Sequence, residues 1–354
     1  MIKILTTNDE NEWNKALGRI SSSRRDIYFT PEYYKLYEHL GDGTAFCFVF
    51  DNGSETGLYP FLKNEINSLG YTLPEKYYDI QGAYGYNGVL TDSTDPGFTD
   101  SFYNALGGYC RENNIVAEFT RFHPLLANYR FNNGYFNIID DRICVYFNLE
   151  KPRDEIFRDF QLTTRKQIRR ASGRYGIEVI TERQGVSWAE DIFSIYKTTM
   201  NRVGAVKSLY FNETFFRELL SLESAVLFRA MQHDKLIAFI IGFSGGDYFH
   251  GHLGGSLGEY INMSPNGLLY WTMINYAADN GFRLLHIGGG DTPDADNSLL
   301  KFKLNYSKTT LPFKIGKKIH NQEVYDEVVR QWSARCDAAF VQSQNKILLR
   351  YRNI

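Results

Sequence analysis

Three glycines and a lysine pair stand close together in the stretch "HIGGGDTPDADNSLLKFKLNYS", which runs from His286 to Ser307. The run Gly288–Gly290 follows a short apolar segment, and its bare backbone lets a ligand approach closely and bind free N–H groups. No Gly-Lys-Ser/Thr sequence follows, and no long helix begins here, which argues against a Walker loop and a dinucleotide fingerprint. The run predicts either a tight structural turn or a ligand contact.

The acidic and histidine residues nearby do not form a recognisable metal motif. Asp291, Asp294 and Asp296 lack the spacing, the glycine and the final glutamate of a calcium loop. His250 and His252 share one face of a predicted strand, but no third ligand is evident. We therefore predict no metal, and we consider Asp291, His250 or a water molecule as the general base of a reaction.

The composition is that of a globular protein without bulk attraction for nucleic acid. The 354 residues suit two domains, and 25 Tyr and 26 Phe make the chain rich in aromatic rings. A net charge of -2 argues against a DNA partner. The widely spaced cysteines and the absence of a signal peptide or a long apolar run predict a cytoplasmic protein with at most peripheral membrane contact.

The periodicity of the sequence predicts an α/β (α+β) protein built from two copies of one architecture. After Gly176 the order is strand, two helices, three strands, helix, strand, helix and strand, and the first half repeats it more faintly. The helix after Ser264 and Pro265 ends before Gly281. We predict domains at residues 1–150 and 151–318, with a helical extension at 319–354 that packs on the first domain.

Several diffuse motifs follow one another between Leu162 and Ser307, namely "LTTRKQIRRASGRYGIEV", "YKTTMNRVGA", "YFNETFFRELL", "LIAFIIGFSGGDYFHGHLGGS", "GLLYWTMINYAADNGFRLLHIGGG" and "SLLKFKLNYS". These motifs are similar to the Fem family of peptidoglycan aminoacyltransferases and their GNAT-like relatives, and the element order resembles the GNAT acyltransferase fold. "YYDIQGAYGYNG", from Tyr77 to Gly88, looks like the first-domain signature of that family. The long coiled-coil arm of some members is missing, since no extended heptad run occurs.

The resemblance implies two tandem GNAT-like domains, each a mixed, mainly antiparallel sheet flanked by helices. It also implies a bacterial N-acyltransferase that modifies a primary amine of a cell-wall precursor, an amino sugar or a peptidoglycan peptide. Acyl-CoA is the first candidate donor, and charged tRNA is the alternative. A third hypothesis, from another class, is a non-catalytic protein that binds a glycan or a peptide.

The resemblance assigns roles to individual residues of the second domain. Lys303 matches the family's Phe-Lys motif and would stabilise charge in the transition state, with Phe302 beside it. From spacing alone, Lys301 and Lys303 could both face solvent. Arg202 matches an arginine near the acceptor pocket. Gly289 and Gly290 are predicted to contact substrate because of their bare backbone, and not because of the resemblance.

Two further groups of residues are assigned to ligands. The donor phosphates of GNAT enzymes bind at a helix N-terminus that here contains Ser264, Asn266 and Gly267, where simple capping is the alternative. In the first domain, Asp79, Tyr84 and Tyr86 would line the acceptor side of a cleft, or form an aromatic core corner.

One basic cluster stands out on a predicted helix. Spacings of three and four residues place several of its members on one face. This is either a solvated face or a docking surface for tRNA phosphates, a nucleotide-linked sugar or anionic lipid headgroups. The members are Arg165, Lys166, Arg169, Arg170 and Arg174.

Overall fold

A computed structural model describes residues 1–132 and 134–353. The chain forms two compact units. The first unit contains Met1–Arg24, Tyr28–Asp141 and Phe313–Ile354, and the second contains Arg25–Ile27 and Arg142–Pro312. The first unit is therefore discontinuous in sequence, because the C-terminal segment returns to it. None of the described helices is long and apolar enough to cross a membrane.

The β-strands are numbered in chain order. They are β1 (Ile2–Thr6), β2 (Thr44–Asp51), β3 (Thr56–Glu65), β4 (Tyr78–Gln81), β5 (Leu90–Thr91), β6 (Ile115–Arg121), β7 (Asn137–Asn148), β8 (Ile177–Arg183), β9 (Ala225–Gln232), β10 (Lys235–Gly245), β11 (Tyr248–Ser256), β12 (Leu284–Gly289) and β13 (Thr310–Ile319).

The α-helices are numbered in the same way. They are α1 (Glu10–Leu17), α2 (Pro31–Leu40), α3 (Pro96–Glu112), α4 (Arg153–Asp159), α5 (Leu162–Gly173), α6 (Ala189–Val203), α7 (Glu213–Ser221), α8 (Pro265–Asp279), α9 (Ser298–Lys303), α10 (Gln322–Ser333) and α11 (Ala338–Ser343).

The first unit is a sheet in the order β1-β2-β3-β4-β6-β13, with β5 paired to β3. All of these pairs are antiparallel except β4 with β6. Aromatic side chains fill its core, where Phe48, Phe61 and Phe102 are fully buried. Their large apolar area accounts for the high Tyr and Phe content of the sequence.

The C-terminal helices belong to the core of the first unit. Trp332 of α10 and Tyr351 are fully buried, and they pack in one cluster with Ile66, Tyr71 and Val116. The Tyr71 hydroxyl donates a hydrogen bond of 2.6 Å to the Tyr351 carbonyl. The last segment of the chain therefore completes this unit.

The second unit is a sheet in the order β7-β12-β11-β10-β9-β8. Its pairs are antiparallel except β11 with β12. Helices α5 and α8 cover one face, where Leu269, Met273 and Ile274 of α8 pack on Phe228 and Phe249 of the strands. Helices α6 and α7 contact β9, β10 and β11. The predicted mixed, mainly antiparallel α/β class is confirmed.

Candidate active site

Strands β11 and β12 of the second unit pair over only a short distance and then separate. The parallel register runs from Tyr248↔Leu284 to His250↔His286. Within residues 134–353 the two strands have no later pair, although β11 continues to Ser256. From Gly251 onward, β11 therefore presents backbone groups that have no strand partner on this side. We call this separation the fork.

Helix α8 begins immediately beyond the loop that follows β11. Ser264 precedes it in a left-handed conformation with φ of 59°, and within the described residues its side chain makes no capping hydrogen bond. Asn266 and Gly267 lie in the first turn. The first N–H groups of a helix attract anions when no side chain caps them. Pro265 has no N–H and the Gly267 N–H donates a hydrogen bond of 3.2 Å to the Ser264 carbonyl, so the Asn266 N–H is the first donor that this N-terminus can offer to a phosphate group.

A surface depression lies beside this helix N-terminus. The Arg170 guanidinium of α5 lies over the Tyr175 ring, 5.5 Å from its centroid, and donates a hydrogen bond of 2.7 Å to its hydroxyl. These contacts hold a positive charge near Ser264. The structure thereby places a member of the basic cluster, Arg170, and the residue before α8, Ser264, at one depression. The depression is lined by Gln167, Arg170, Tyr175, Asn262, Met263 and Ser264.

Lys303, at the end of α9, is the buried cation of this region. Its Nζ donates a hydrogen bond of 2.7 Å to the Gly289 carbonyl at the end of β12. Burial lowers the pKa of Lys303 to about 8, and the nearby Cys144 and Asp291 side chains partly oppose that shift. Lys301 is exposed and pairs with Asp296. The solvent-facing alternative therefore describes Lys301 and not Lys303.

The glycine run brings the backbone close to the lysine. Gly288 has a φ of 72°, and a Cβ atom there would lie 3.2 Å from Lys303 Nζ. A Cβ on Gly290 would lie 2.6 Å from Asn297 Oδ1, while Arg142 donates 2.9 Å to the Gly290 carbonyl. The run is therefore a packed turn whose carbonyls hold two cationic side chains. Whether Gly289 and Gly290 also contact substrate stays a prediction.

Asn297 connects this turn to α9. Its Oδ1 accepts hydrogen bonds of 3.1 Å from the backbone N–H groups of Leu299 and Leu300, and its amide donates to Asp291. The Asp291 side chain belongs to an exposed loop. Asn297 thus caps the helix that carries Lys303, and it orients the acid predicted to act as a base.

Replacing Asn297 with alanine is expected to cost about 1 kcal/mol of unfolding free energy, because α9 loses its N-terminal cap. We expect kcat to decrease by more than this loss of stability alone would cause, since Lys303 lies on the same short helix. Urea unfolding and steady-state kinetics would check both values. Asn297→Ser, which can still cap, should recover most of the stability; failure to do so would contradict the capping role.

Phe302 contributes to the packing between α9 and α8. Its ring centroid lies 5.8 Å from that of Tyr270 in α8 and 5.2 Å from that of Tyr306. The ring is only partly buried. This aromatic group fixes the position of the Lys303 helix relative to the first turns of α8.

His250 lies at the closed end of the fork, in its last paired position. The side chain is fully buried, and its Nε2 lies 2.7 Å from Asp26 Oδ2, which is also fully buried. Burial lowers the pKa of the neighbouring His252 to about 3, which keeps that ring neutral. Asp26 lies 224 residues away in sequence, and no local pattern marks it as a partner of His250.

Arg202 lies at the C-terminal end of α6 and reaches the end of β11. Its Nη1 donates a hydrogen bond of 2.7 Å to the Ser256 carbonyl. This contact helps to position the open arm of the fork. The contact of Arg202 with the acceptor stays a prediction.

Three predicted acceptor residues belong to the first unit, and all are held by intramolecular contacts. Asp79 is fully buried, and its carboxylate pairs with Arg352 at 2.8 Å. The Tyr84 carbonyl accepts a hydrogen bond from Tyr33. The Tyr86 ring packs edge-on against Tyr28, with centroids 5.2 Å apart. These contacts support the alternative of an aromatic core corner for Tyr86 and an anchoring role for Asp79.

Comparisons with known proteins identify similar folds. Residues 158–298 match the family model of the acetyltransferase (GNAT) domain. No curated protein matches the sequence significantly. Among solved structures, FemX matches with a TM-score of 0.69 at 14% identity, covering 92% of this chain and 99% of FemX.

Two other solved structures have similar folds. A tandem GNAT protein from the clavulanic acid biosynthesis pathway matches with a TM-score of 0.50 at 9% identity, covering 91% of this chain and 99% of that protein. L-PGS from Bacillus licheniformis matches with a TM-score of 0.55 at 10% identity, covering 90% of this chain and 95% of that one. The predicted resemblance to Fem-type and tandem GNAT folds is confirmed.

Proposed function

We propose that this chain, whose residues 158–298 match the acetyltransferase (GNAT) domain model, transfers an acyl group from acyl-CoA to a primary amine. The proposed acceptor is a cell-envelope precursor in the bacterial cytoplasm, an amino sugar or a peptidoglycan peptide, as the resemblance to the Fem family implies. The observation that carries the proposal is the fork beside the N-terminus of α8.

The fork and the depression match the two chemical parts of a coenzyme A ester. Its pantetheine arm contains amide groups, which can pair with the backbone groups that β11 presents after Gly251. Its phosphates suit the uncapped N-terminus of α8 and the Arg170 guanidinium. A donor that extends from the depression to the fork would have its thioester near the two separated strands of the fork.

The proposed reaction requires stabilisation of negative charge. The amine nitrogen attacks the thioester carbon, the carbonyl oxygen becomes an oxyanion, and the C–S bond then breaks to release the thiol. A buried cation stabilises such charge strongly because water does not screen it. We assign this role to Lys303. Asp291 is exposed and can accept the amine proton, whereas His250 is buried and bonded to Asp26.

Aminoacyl-tRNA is a second candidate donor, favoured by the surface of α5. Lys166, Arg169, Arg170 and Arg174 are all exposed there. Such a surface can neutralise several phosphates of a polyanion, and the resulting affinity falls steeply with salt. The similarity to the FemX fold is compatible with this donor.

Thermal unfolding of the purified protein distinguishes the two donors. A ligand present at a hundred times its dissociation constant stabilises the folded state by about 2.7 kcal/mol, which raises Tm by several degrees. A shift with acetyl-CoA would support the first donor. The lack of a shift, together with salt-dependent binding of charged tRNA, would replace it with the second.

Replacing Arg170 with alanine is expected to weaken coenzyme A binding by about tenfold or more, because a charge-assisted hydrogen bond to phosphate contributes roughly 1.5–3 kcal/mol. Isothermal titration would measure the dissociation constant. Arg174→Ala is the matched control, since Arg174 belongs to the same basic cluster but does not line the depression. Equal losses in both variants would contradict a specific phosphate site and favour a diffuse tRNA surface.

A further inference from the structure

A second group of chemically active side chains lies inside the first unit, away from the acyltransferase domain in sequence. Cys110 of α3, Glu118 of β6 and His320, which follows β13, each bring one potential ligand atom to within 4.8 Å of the other two. Cys110 and Glu118 are fully buried. The exposed fraction of the His320 side chain is 4%. Three separate elements therefore converge on one interior point.

The contacts within this group leave one carboxylate oxygen unsatisfied. Glu118 Oε2 accepts a hydrogen bond of 3.1 Å from the Tyr135 hydroxyl and lies 2.9 Å from His320 Nε2. Glu118 Oε1 is buried and makes no direct hydrogen bond among residues 1–132 and 134–353, although the neighbouring Tyr59 hydroxyl, which bonds to Thr120, also interacts with this carboxylate. A buried polar oxygen without a donor is unfavourable, and such groups are rare in folded proteins. An additional positive partner would remove this defect.

The donor set identifies the chemistry of that partner. One thiol sulfur, one imidazole nitrogen and one carboxylate oxygen form the mixed set that zinc accepts in tetrahedral sites. Ordinary zinc–ligand bond lengths place the ligand atoms of one ion about 3.3–3.8 Å from one another. Side-chain rotations that move the ligand atoms by about 1 Å would therefore bring the three groups to these distances. A water molecule or the Tyr135 hydroxyl can take the fourth position.

We propose that Cys110, Glu118 and His320 form a zinc-binding site in the first unit. On binding, the thiol releases its proton to solvent, and the imidazole turns a ring nitrogen from Glu118 to the metal. No oxidation or reduction is involved. Because the ligands come from α3, β6 and the segment after β13, the ion would link the C-terminal part of this unit to its central sheet.

Cobalt(II) provides a direct test, because a thiolate ligand produces a charge-transfer band in the near-ultraviolet spectrum. The full-length protein is freed of metal with a chelator and titrated with cobalt. We expect a band that saturates at one equivalent and disappears when zinc is added. We also expect zinc to raise the Tm of the metal-free protein.

Matched variants locate the site. Cys110→Ser should abolish the band, whereas Cys47→Ser should retain it, since Cys47 is equally buried in the same unit but lies outside the group. His320→Gln, at the edge of the group, should weaken cobalt binding at least tenfold; this variant decides the question if Cys110→Ser does not fold. The absence of a band in the wild type, or an unchanged band in Cys110→Ser or His320→Gln, would overturn the proposal.

Discussion

Replacement of Lys303 by methionine is expected to lower kcat/KM by about 10²–10³-fold, the usual effect of removing one donor that stabilises an oxyanion. The expected loss follows from the position of Lys303, whose Nζ is buried and fixed on the Gly289 carbonyl beside the fork. Steady-state assays of thiol release at saturating acyl-CoA would measure it. Most of the loss should fall on kcat, because the interaction is made in the transition state.

The same substitution is expected to stabilise the fold. Burial lowers the pKa of Lys303 from 10.5 to about 8. Below pH 8 both the folded and the unfolded states carry the charge, so the folded state bears the full cost of up to about 3 kcal/mol. Between pH 8 and 10.5 the unfolded state binds more protons, and wild-type stability rises with pH. At pH 7 the unfolding free energy of Lys303→Met should be about 1–2 kcal/mol higher than that of the wild type. The gain is smaller than the full burial cost because the hydrogen bond of Lys303 is lost.

Lys301→Met is the matched control for both measurements. Lys301 lies on the same helix but is exposed in a surface ion pair, so its removal should change stability by less than about 0.5 kcal/mol. A Lys303→Met protein with normal kcat would remove Lys303 from the reaction. A protein that is less stable than the wild type, with the same pH profile, would contradict the burial cost.

Replacement of Arg352 by methionine is expected to destabilise the first unit by about 3–5 kcal/mol, because it leaves the fully buried Asp79 carboxylate without its cation. The Tyr351 hydroxyl, 3.0 Å from Asp79, is the remaining partner that the geometry shows. Burial already raises the pKa of Asp79, and Arg352 opposes that shift. The deficit should therefore shrink toward acid pH, where the folded state can take up a proton at Asp79. Denaturant unfolding at several pH values would measure it.

The double variant Asp79→Asn with Arg352→Met serves as the control for this pair. Because the double variant lacks the Asp79 charge, it should be at least about 1 kcal/mol more stable than Arg352→Met alone. Additive losses would show that the two side chains act independently. In that case the C-terminal segment would be held by the apolar packing of Trp332 and Tyr351 alone.

The parts of the fold that the sequence predicts well are those with local signals. Helix α8 begins at Pro265 and ends at Asp279, as Ser264, Pro265 and Gly281 indicate. Proline at the start and glycine after the end act on the nearest turns of the backbone, so they can be read without the tertiary structure. The same holds for the element order of the second unit.

The candidate site is only partly visible in the sequence. Periodicity cannot distinguish Lys301 from Lys303, because both lie on one short helix, and only the family resemblance singles out the buried one. Asn297 carries a readable signal, since asparagine before an apolar helical run is a common cap. What the local sequence does not show is that the same side chain also reaches Asp291.

Contacts between distant residues could not have been predicted from one sequence. Asp26 and His250 are 224 residues apart, and no local rule links a carboxylate in one segment to a strand histidine in another. The union of Arg170 with Ser264 in one depression likewise depends on how α5 packs against α8. Burial and pairing of such groups are decided by tertiary packing, which propensity and spacing do not encode.

The discontinuous first unit has a consequence for biosynthesis. Asp79 and Arg352 are separated by 273 positions, so a ribosome that adds about 5–20 residues per second makes the partner of Asp79 roughly 14–55 s later. The acyltransferase segment is translated within that interval and can fold first. A nascent chain that stops early would expose an incomplete aromatic core, which chaperones and proteases recognise. Completion of the first unit therefore has to wait until Arg352 has been translated.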